Sequence, residues 1–296
     1  TTILEKRGFN NVHVVEEQGK PDPNLTTIGY PNPEDPKAFK LSKELGEKVG
    51  ADILVATDPD SDRIGVMTKS ENGDYELISG NDLGALLLDY VLSGKKDKKI
   101  LSRKGIVVKT IVTSDLGKKV AEHYGLESFD TLTGFKFIAG KIRDFEDTGK
   151  YVYEFGYEES FGYLPWTEAR DKDAILSTML VCEMTGYYKK QGKSLLDALK
   201  DIHERVGYFV DNSYSIVLEG LEGKAKIAEI MDSFRNDYSK EIGESKLIKV
   251  SDFLEGSVTS LDDDKVEDTN LHRENVMKYE FDNESWYALR PSGTEP

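Results

Sequence analysis

The sequence predicts an α/β protein: two consecutive α/β domains with mixed or parallel sheets, then a partial α+β domain. Three observations carry this. Short buried-type apolar runs alternate with amphipathic helical stretches over the first two thirds. The last third breaks that rhythm, with one long helix, two strand-like runs and an acidic stretch between them. The chain has 296 residues, well beyond the roughly 150 of a single typical domain.

The elements follow in order. Thr1–Gly8 reads as a helix and Val12–Val15 as a short apolar run, followed by a Pro-rich loop from Pro21 to Pro36. Asn32, Pro33 and Glu34 read as an N-cap, a first-turn proline and a first-turn acid. Ala38, Leu41, Leu45 and Val49 keep the next helix amphipathic, and Gly50 stops it. Ile53–Ala56 and Ile64–Met67 are strands, expected in a mainly parallel sheet. Gly73 and the hairpin-like stretch to Ser79 mark a boundary.

In the second domain Asp82–Leu92 is a helix, Lys95–Arg103 a basic solvated linker, Ile106–Val108 a strand and Asp115–Tyr124 a helix. Phe137–Phe145 is a helix and Tyr151–Phe155 a strand. Helices follow at Ile175–Tyr188 and Leu195–Arg205. In the third, Tyr208–Leu218 alternates like a strand, Lys224–Tyr238 like a helix and Trp286–Leu289 like a strand. Ser251–Asp268 is acidic and poor in apolar residues, with Asp262–Lys265 a solvated turn. The expected domains are 1–73, 74–207 and 208–296. Thr1 falls inside a predicted helix and Pro296 inside a polar loop, so we expect a piece of a longer polypeptide.

Composition narrows the function. Lys and Arg number 39 against 55 Asp and Glu, a net charge of −16, which disfavours general binding to nucleic-acid backbones. A single cysteine, Cys182, excludes an intrachain disulfide and a multi-cysteine zinc site, and fits a reducing cytoplasm. Cys182 lies in an apolar run and reads as core. No apolar stretch is long enough to cross a membrane.

The sharpest chemical signal is Thr57-Asp58-Pro59-Asp60-Ser61-Asp62-Arg63, directly after a buried strand. Three carboxylates at alternate positions of a tight turn can converge on one hard cation, with room left for water or a substrate oxygen, as Mg²⁺ prefers. Arg63 can fork onto a phosphate held by the same ion. An acidic surface turn is the competing reading. An EF-hand loop is excluded, because its required Gly and Glu positions hold Arg63 and Lys69.

A second signal is Gly156-Tyr157-Glu158-Glu159-Ser160-Phe161-Gly162. A carboxylate can accept from two neighbouring sugar hydroxyls, and Ser160 can add a contact. A solvated acidic pair is the alternative. A third is Arg290-Pro291-Ser292-Gly293-Thr294-Glu295, where Arg, two hydroxyls and backbone amides around Gly293 suit a phosphate, against an ordinary polar turn. Thr133-Gly134-Phe135-Lys136 and Arg170-Asp171-Lys172-Asp173 each precede a helix, and alone each reads first as structure. Gly192-Lys193-Ser194 is a helix–helix turn, since the first Gly of a nucleotide loop would fall on Tyr187. The four histidines are scattered, which gives no support to a Ser–His–Asp hydrolase.

Taken together, Asp-x-Asp-x-Asp-Arg, Thr-Gly-Phe-Lys, Glu-Glu-Ser-Phe-Gly and Arg-Pro-Ser-Gly-Thr-Glu-Pro, in this order and spacing, closely resemble the α-D-phosphohexomutases, the phosphoglucomutase/phosphomannomutase superfamily. The run Gly156–Tyr163 looks more like the bacterial phosphoglucomutase branch. The resemblance implies a four-domain enzyme, with three α/β domains and a smaller α+β domain that closes over the substrate. Its reaction moves a phosphoryl group between C1 and C6 of a hexose phosphate, through a phosphoserine and a hexose 1,6-bisphosphate.

By motif match Asp58, Asp60 and Asp62 would hold Mg²⁺ and Arg63 would contact the phosphoryl group. Glu158 and Ser160 would bind sugar hydroxyls, with Lys136 and Lys172 lining the sugar site. Arg290, Ser292, Gly293 and Thr294 would hold the non-reacting phosphate. Glucose and mannose offer the same hydroxyls at C3 and C4, so these motifs serve either; glucose 1-phosphate and glucose 6-phosphate fit the branch. The family's serine loop, Thr-Ala-Ser-His-Asn-Pro or a close variant, is absent from this sequence, so this chain alone is predicted inactive as a mutase. A metal-dependent sugar-phosphate phosphatase, a sugar transferase and a non-catalytic sugar-phosphate binder are the alternatives.

Overall fold

The computed structural model describes every residue except Pro21, Tyr30, Glu219 and residues 292–296. The chain forms two compact units, Thr1–Asp211 and Asn212–Pro296.

The first unit opens with α1 (Thr2–Lys6), a single 3-10 turn at Pro36–Phe39, and α2 (Lys40–Val49). Strands β1 (Ile53–Thr57), β2 (Ile64–Lys69) and β3 (Tyr75–Leu77) follow. These three form an antiparallel sheet in sequence order, with Ile53 opposite Thr68 and Thr57 opposite Ile64. The expected mainly parallel pairing of the first two is therefore corrected: a connection as short as residues 58–63 cannot make the crossover that parallel strands need. Val12–Val15 forms no strand, and Val14 is half exposed.

The helix start also moves. Asn32 does accept from the Glu34 amide at 2.9 Å, but only as a local turn. A helix begun at Pro33 would carry Pro36 one turn inside, where its missing N–H and its ring are not tolerated. Helical chain instead begins at Pro36, capped by Asp35, which accepts from the Lys37 amide at 2.9 Å. Gly50 ends α2 in the left-handed region, φ 69°, as the sequence indicated.

The rest of the unit is a layered α/β body. It contains α3 (Gly80–Asp97), β4 (Gly105–Thr110), α4 (Leu116–His123), β5 (Glu127–Thr131) and α5 (Phe135–Thr148). After these come β6 (Val152–Glu158), β7 (Gly162–Leu164), α6 (Ala174–Lys189) and α7 (Leu195–Val206). The strand order is β5-β4-β6-β7, parallel except for β7, which runs antiparallel to β6. Strand β4 is buried throughout and divides the core by its period of two. Val107 packs with Leu83, Leu87, Phe155, Met184 and Leu195. Ile106 and Val108 pack on the other face with Phe135, Ile138 and Ile142 of α5.

The basic stretch Lys95–Arg103 is a solvated linker only from Lys98 onward, where Lys98, Lys99, Ile100 and Arg103 are exposed. Helix α3 runs on to Asp97, and the Lys95 ammonium pairs at 2.5 Å with the buried carboxylate of Glu154. Cys182 is only half buried, against the expectation of full core, and burial pushes its thiol up to about 11. No described helix is long and apolar enough to cross a membrane.

In the second unit α8 (Gly220–Asn236) precedes six strands: β8 (Glu241–Ile242), β9 (Ser245–Asp252), β10 (Ser257–Ser260), β11 (Val266–Asp268), β12 (Met277–Phe281) and β13 (Trp286–Leu289). All pairs are antiparallel; the path is β11-β10-β9-β12-β13, with β8 on β9. Met231, Leu247, Val250, Met277, Tyr279 and Phe281 form the core. The acidic stretch Ser251–Asp268 thus holds strands after all. β11 is the edge strand and fully exposed, and β10 beside it is half buried, so neither needs an apolar run. Tyr208–Leu218 carries the alternation of a strand but pairs with no described strand, and Val210 and Tyr214 stand exposed. Alternation makes a strand only where an edge receives it.

The buried Tyr157 ring lies between two glycines. A Cβ on Gly84 of α3 would come within 2.3 Å of the ring, and one on Gly117 of α4 within 2.1 Å of the hydroxyl. Gly84→Ala is expected to destabilise the first unit by about 1–3 kcal/mol through overpacking, read as a lower urea midpoint.

Candidate cation and sugar-phosphate site

The site begins with the turn between β1 and β2. Asp58 is buried, so its carboxylate must find donors. It finds them in the same turn. Oδ1 accepts from the amides of Asp62 and Arg63, both at 3.0 Å, and Oδ2 from Arg63 Nε at 2.7 Å. Ser61 turns the chain back with φ 60°, and its amide donates to the Asp58 carbonyl at 3.1 Å. The turn displays Asp58, Asp60 and Asp62 side by side, with one oxygen from each within 4.8 Å of the others. Among the described residues this is the one such cluster. Every donor is a carboxylate oxygen, the set that suits a hard divalent cation.

The turn is tied to the rest of its unit by backbone. The Ile64 amide donates to the Phe161 carbonyl at 3.1 Å, and the Ala174 amide to the Ser61 carbonyl at 3.0 Å. These bonds bring Glu158, at the end of β6, and Lys172, just before α6, to the aspartates. Lys172 Nζ lies 2.7 Å from Asp62 Oδ2 and 4.0 Å from Glu158 Oε2. Glu158 is buried, and its Oε1 accepts from the Gly134 amide at 2.7 Å, at the N-terminus of α5. Arg63 also reaches Glu34 Oε1, at 3.2 Å.

Glu159 faces elsewhere. Its Oε2 accepts from the hydroxyls of Thr110 and Thr113, each at 3.0 Å. That short loop is held by Lys109, fully buried, whose ammonium donates to the carbonyls of Thr110 and Thr113 and pairs with Asp115 and Asp130 at 3.3 and 3.1 Å. Gly80 lies beneath: a Cβ there would meet the Glu159 carbonyl oxygen at 1.9 Å.

These contacts set the protonation behaviour. Burial pushes the Asp58 carboxyl up, but hydrogen bonds from the Arg63 amide and guanidinium more than offset it, and Asp58 ends below the ordinary Asp value. Burial raises Asp62 even against Lys172. Burial lowers the Lys172 ammonium, and its hydrogen bond to Asp62 and the Glu158 charge more than restore it. Glu34 is raised by burial despite Arg63.

Asp58, Asp60, Asp62, Arg63, Lys172 and Glu158 therefore meet in one corner, and Ser160 lies half buried in the turn after β6. Lys136 is not brought there: it is exposed, its ammonium 4.8 Å above the Phe137 ring. Arg290 is exposed at the end of β13 in the second unit. Ser292, Gly293 and Thr294 lie outside the described residues. Sequence reasoning placed none of Glu34, Glu159, Lys109, Thr110 and Thr113 at the site, Glu34 being read only as a first-turn acid. The one signal for the last three was the Lys109-Thr110 pair that ends an otherwise apolar strand.

The family model for the phosphoglucomutase/phosphomannomutase α/β/α domain II matches residues 1–73, and that for α/β/α domain III matches residues 79–206. A phosphoglucomutase of Staphylococcus epidermidis is 40% identical over 294 residues, 99% of this chain and 53% of the relative. One of Staphylococcus aureus is 40% identical over 294 residues, 99% of this chain and 52% of its own length. The chain thus spans about half the length of the curated relatives it matches. Among solved structures, the open form of parafusin, a phosphoglucomutase of Paramecium, has a TM-score of 0.56 at 18% identity, covering 90% of this chain and 43% of that one. A phosphoglucomutase/phosphomannomutase family protein of Burkholderia thailandensis has a TM-score of 0.52 at 17% identity, covering 90% and 45%. At those identities the likeness is one of fold.

Because the folded state lowers the Asp58 pKa, the stability it contributes is full above the unfolded value, about 3.9, and is lost as pH falls through the lower folded value. Asp58→Asn is expected to cost roughly 2–4 kcal/mol at neutral pH by setting an amide NH2 against the Arg63 guanidinium in place of a carboxylate oxygen. The gap from the wild type should narrow below about pH 4, in urea unfolding across the acid range.

Proposed function

Because this chain belongs to the phosphoglucomutase/phosphomannomutase family, we propose that the complete protein moves a phosphoryl group between C1 and C6 of a hexose phosphate. The route is an enzyme phosphoserine and a hexose 1,6-bisphosphate, with Mg²⁺ at Asp58, Asp60 and Asp62. The observation that carries this reading is the meeting of the three aspartates, Arg63, Lys172 and Glu158 in one corner of the first unit. A cation site, a phosphate-matching guanidinium and a buried carboxylate for a sugar diol stand side by side.

In this reading the bound cation neutralises charge on the transferring phosphoryl group. The protein's own part is positioning and electrostatics. Arg63, held by Asp58 and Glu34, offers its remaining N–H groups to a phosphoryl oxygen. Glu158, oriented by the Gly134 amide, accepts from sugar hydroxyls, and Ser160 adds a contact. Lys172 adds positive charge between the cation and the sugar. Arg290, Ser292, Gly293 and Thr294 hold the phosphate that does not react.

Residues 1–73, 74–207 and 208–296 are then the second, third and fourth domains, supported by the family matches to residues 1–73 and 79–206. Glucose 1-phosphate and glucose 6-phosphate are the substrates that the Glu158–Gly162 motif and the names of the relatives favour. A cytoplasmic setting fits the single cysteine.

The test is phosphorus NMR on the complete gene product with Mg²⁺, a trace of glucose 1,6-bisphosphate, and glucose 1-phosphate or mannose 1-phosphate in separate tubes. Appearance of the 6-phosphate is expected, faster with glucose; release of free phosphate, or no change, would overturn the mutase reading. The 296-residue chain alone should convert neither sugar, since no serine in it stands in the family's loop. In the complete enzyme Glu158→Gln is expected to lower kcat/KM by about a hundredfold.

A further inference from the structure

Lys172 reaches the site by an unusual path. Its stem crosses β7 directly over Gly162, where an added Cβ would stand 2.0 Å from Lys172 Cδ and 2.8 Å from Cγ. Gly162 is not among the glycines with positive φ, so the backbone alone would accept alanine. Space, not conformational freedom, requires glycine at the end of this motif, and the space is taken by lysine.

The root of the side chain is fixed as well. The Asp173 amide donates to the Tyr163 carbonyl at 3.1 Å and the Ala174 amide to the Ser61 carbonyl at 3.0 Å, while Asp173 caps α6 through the Leu176 amide at 2.9 Å. The side chain is only 15% exposed. Its ammonium lies 5.6 Å from the centre of the Phe135 ring, between Asp62 at 2.7 Å and Glu158 at 4.0 Å.

We propose that Lys172 is the resident counter-ion of the cation site: a divalent cation takes Asp62 only by displacing this ammonium, which then passes to Glu158. The inference rests on the cation-site reading above. Its charge logic is direct. Asp62 Oδ2 is engaged by Lys172, and Oδ1 lies 3.8 Å from Arg63 Nε. A cation ligated by Asp58, Asp60 and Asp62 competes for that carboxylate and repels an ammonium beside it. Glu158 is the nearest other buried carboxylate, and a turn about the side-chain torsions delivers Nζ to it without backbone movement. Lys172 therefore lowers cation affinity in the empty site, and by linkage a bound cation loosens Lys172 from Asp62 by the same factor. Cation binding thus places a positive charge beside the sugar-binding carboxylate, which couples the two halves of the site.

The test uses Mn²⁺ as the probe. Free Mn²⁺ is measured by electron paramagnetic resonance against the 296-residue chain as wild type, Lys172→Met, Gly162→Ala, Lys172→Arg and Asp60→Asn. Lys172→Met is expected to tighten the Mn²⁺ dissociation constant by roughly five- to twentyfold. Gly162→Ala, which forces the stem off β7, should do the same, and Lys172→Arg should stay near the wild type. In the wild type, the Lys172 ¹⁵Nζ resonance, assigned by its loss in Lys172→Arg, should move when Mg²⁺ is added.

Each result decides something. Wild-type binding that Asp60→Asn removes, with unchanged or weaker binding in Lys172→Met and Gly162→Ala, overturns the counter-ion role and leaves the cation site standing. A ¹⁵Nζ resonance unmoved by saturating Mg²⁺ overturns it as well, even where a variant fails to fold. No Mn²⁺ bound by any variant overturns the cation-site reading itself. Binding by Lys172→Met where the wild type has none supports the proposal.

Discussion

A carboxylate buried at the end of a strand has to collect donors, and Asp58 collects them from the residues that follow it. Its two oxygens take the amides of Asp62 and Arg63 and the Arg63 guanidinium. The bonds curl the chain into the turn that starts β2, aim Asp60 and Asp62 beside Asp58, and fix Arg63 at the same time. An isosteric amide at position 58 would keep the shape and lose the charge that orients the guanidinium. The turn, the antiparallel pairing of β1 with β2, and the alignment of three potential cation ligands share this one cause.

The site then grows by close backbone approach. Phe161 and Ala174 bond directly to the hairpin at Ile64 and Ser61. Such contacts leave no room for side chains, and glycines mark where none exists: Gly65 beneath the Pro33 carbonyl, Gly80 beneath the Glu159 carbonyl, Gly162 beneath the Lys172 stem. Three stretches far apart in sequence meet within hydrogen-bond distance through these absences.

A buried ammonium plays the matching part on the neighbouring strand. Lys109 is wholly enclosed, paired with Asp115 and Asp130, and bonded to the carbonyls of Thr110 and Thr113. The hydroxyls of that loop in turn hold Glu159. Of two adjacent glutamates, one is therefore fixed inward as scaffold, while the other, Glu158, takes the Gly134 amide and stays beside Lys172.

The alternating apolar runs, the helix end at Gly50 and the convergent aspartates were legible in the sequence, because each depends on residues within one turn or one strand of each other. The Asp58 turn is the clearest case, since its donors lie four and five residues away. Pairing direction, the fate of Tyr208–Leu218 and the strands within Ser251–Asp268 were not, because a strand exists only through its partner, and the partner is remote. Nor could spacing separate Lys172, which reaches Asp62, from Lys136, which lies out on Phe137. Which of the candidate ammonium groups enters the site was decided by tertiary structure, through a path over Gly162 that only the packed chain creates.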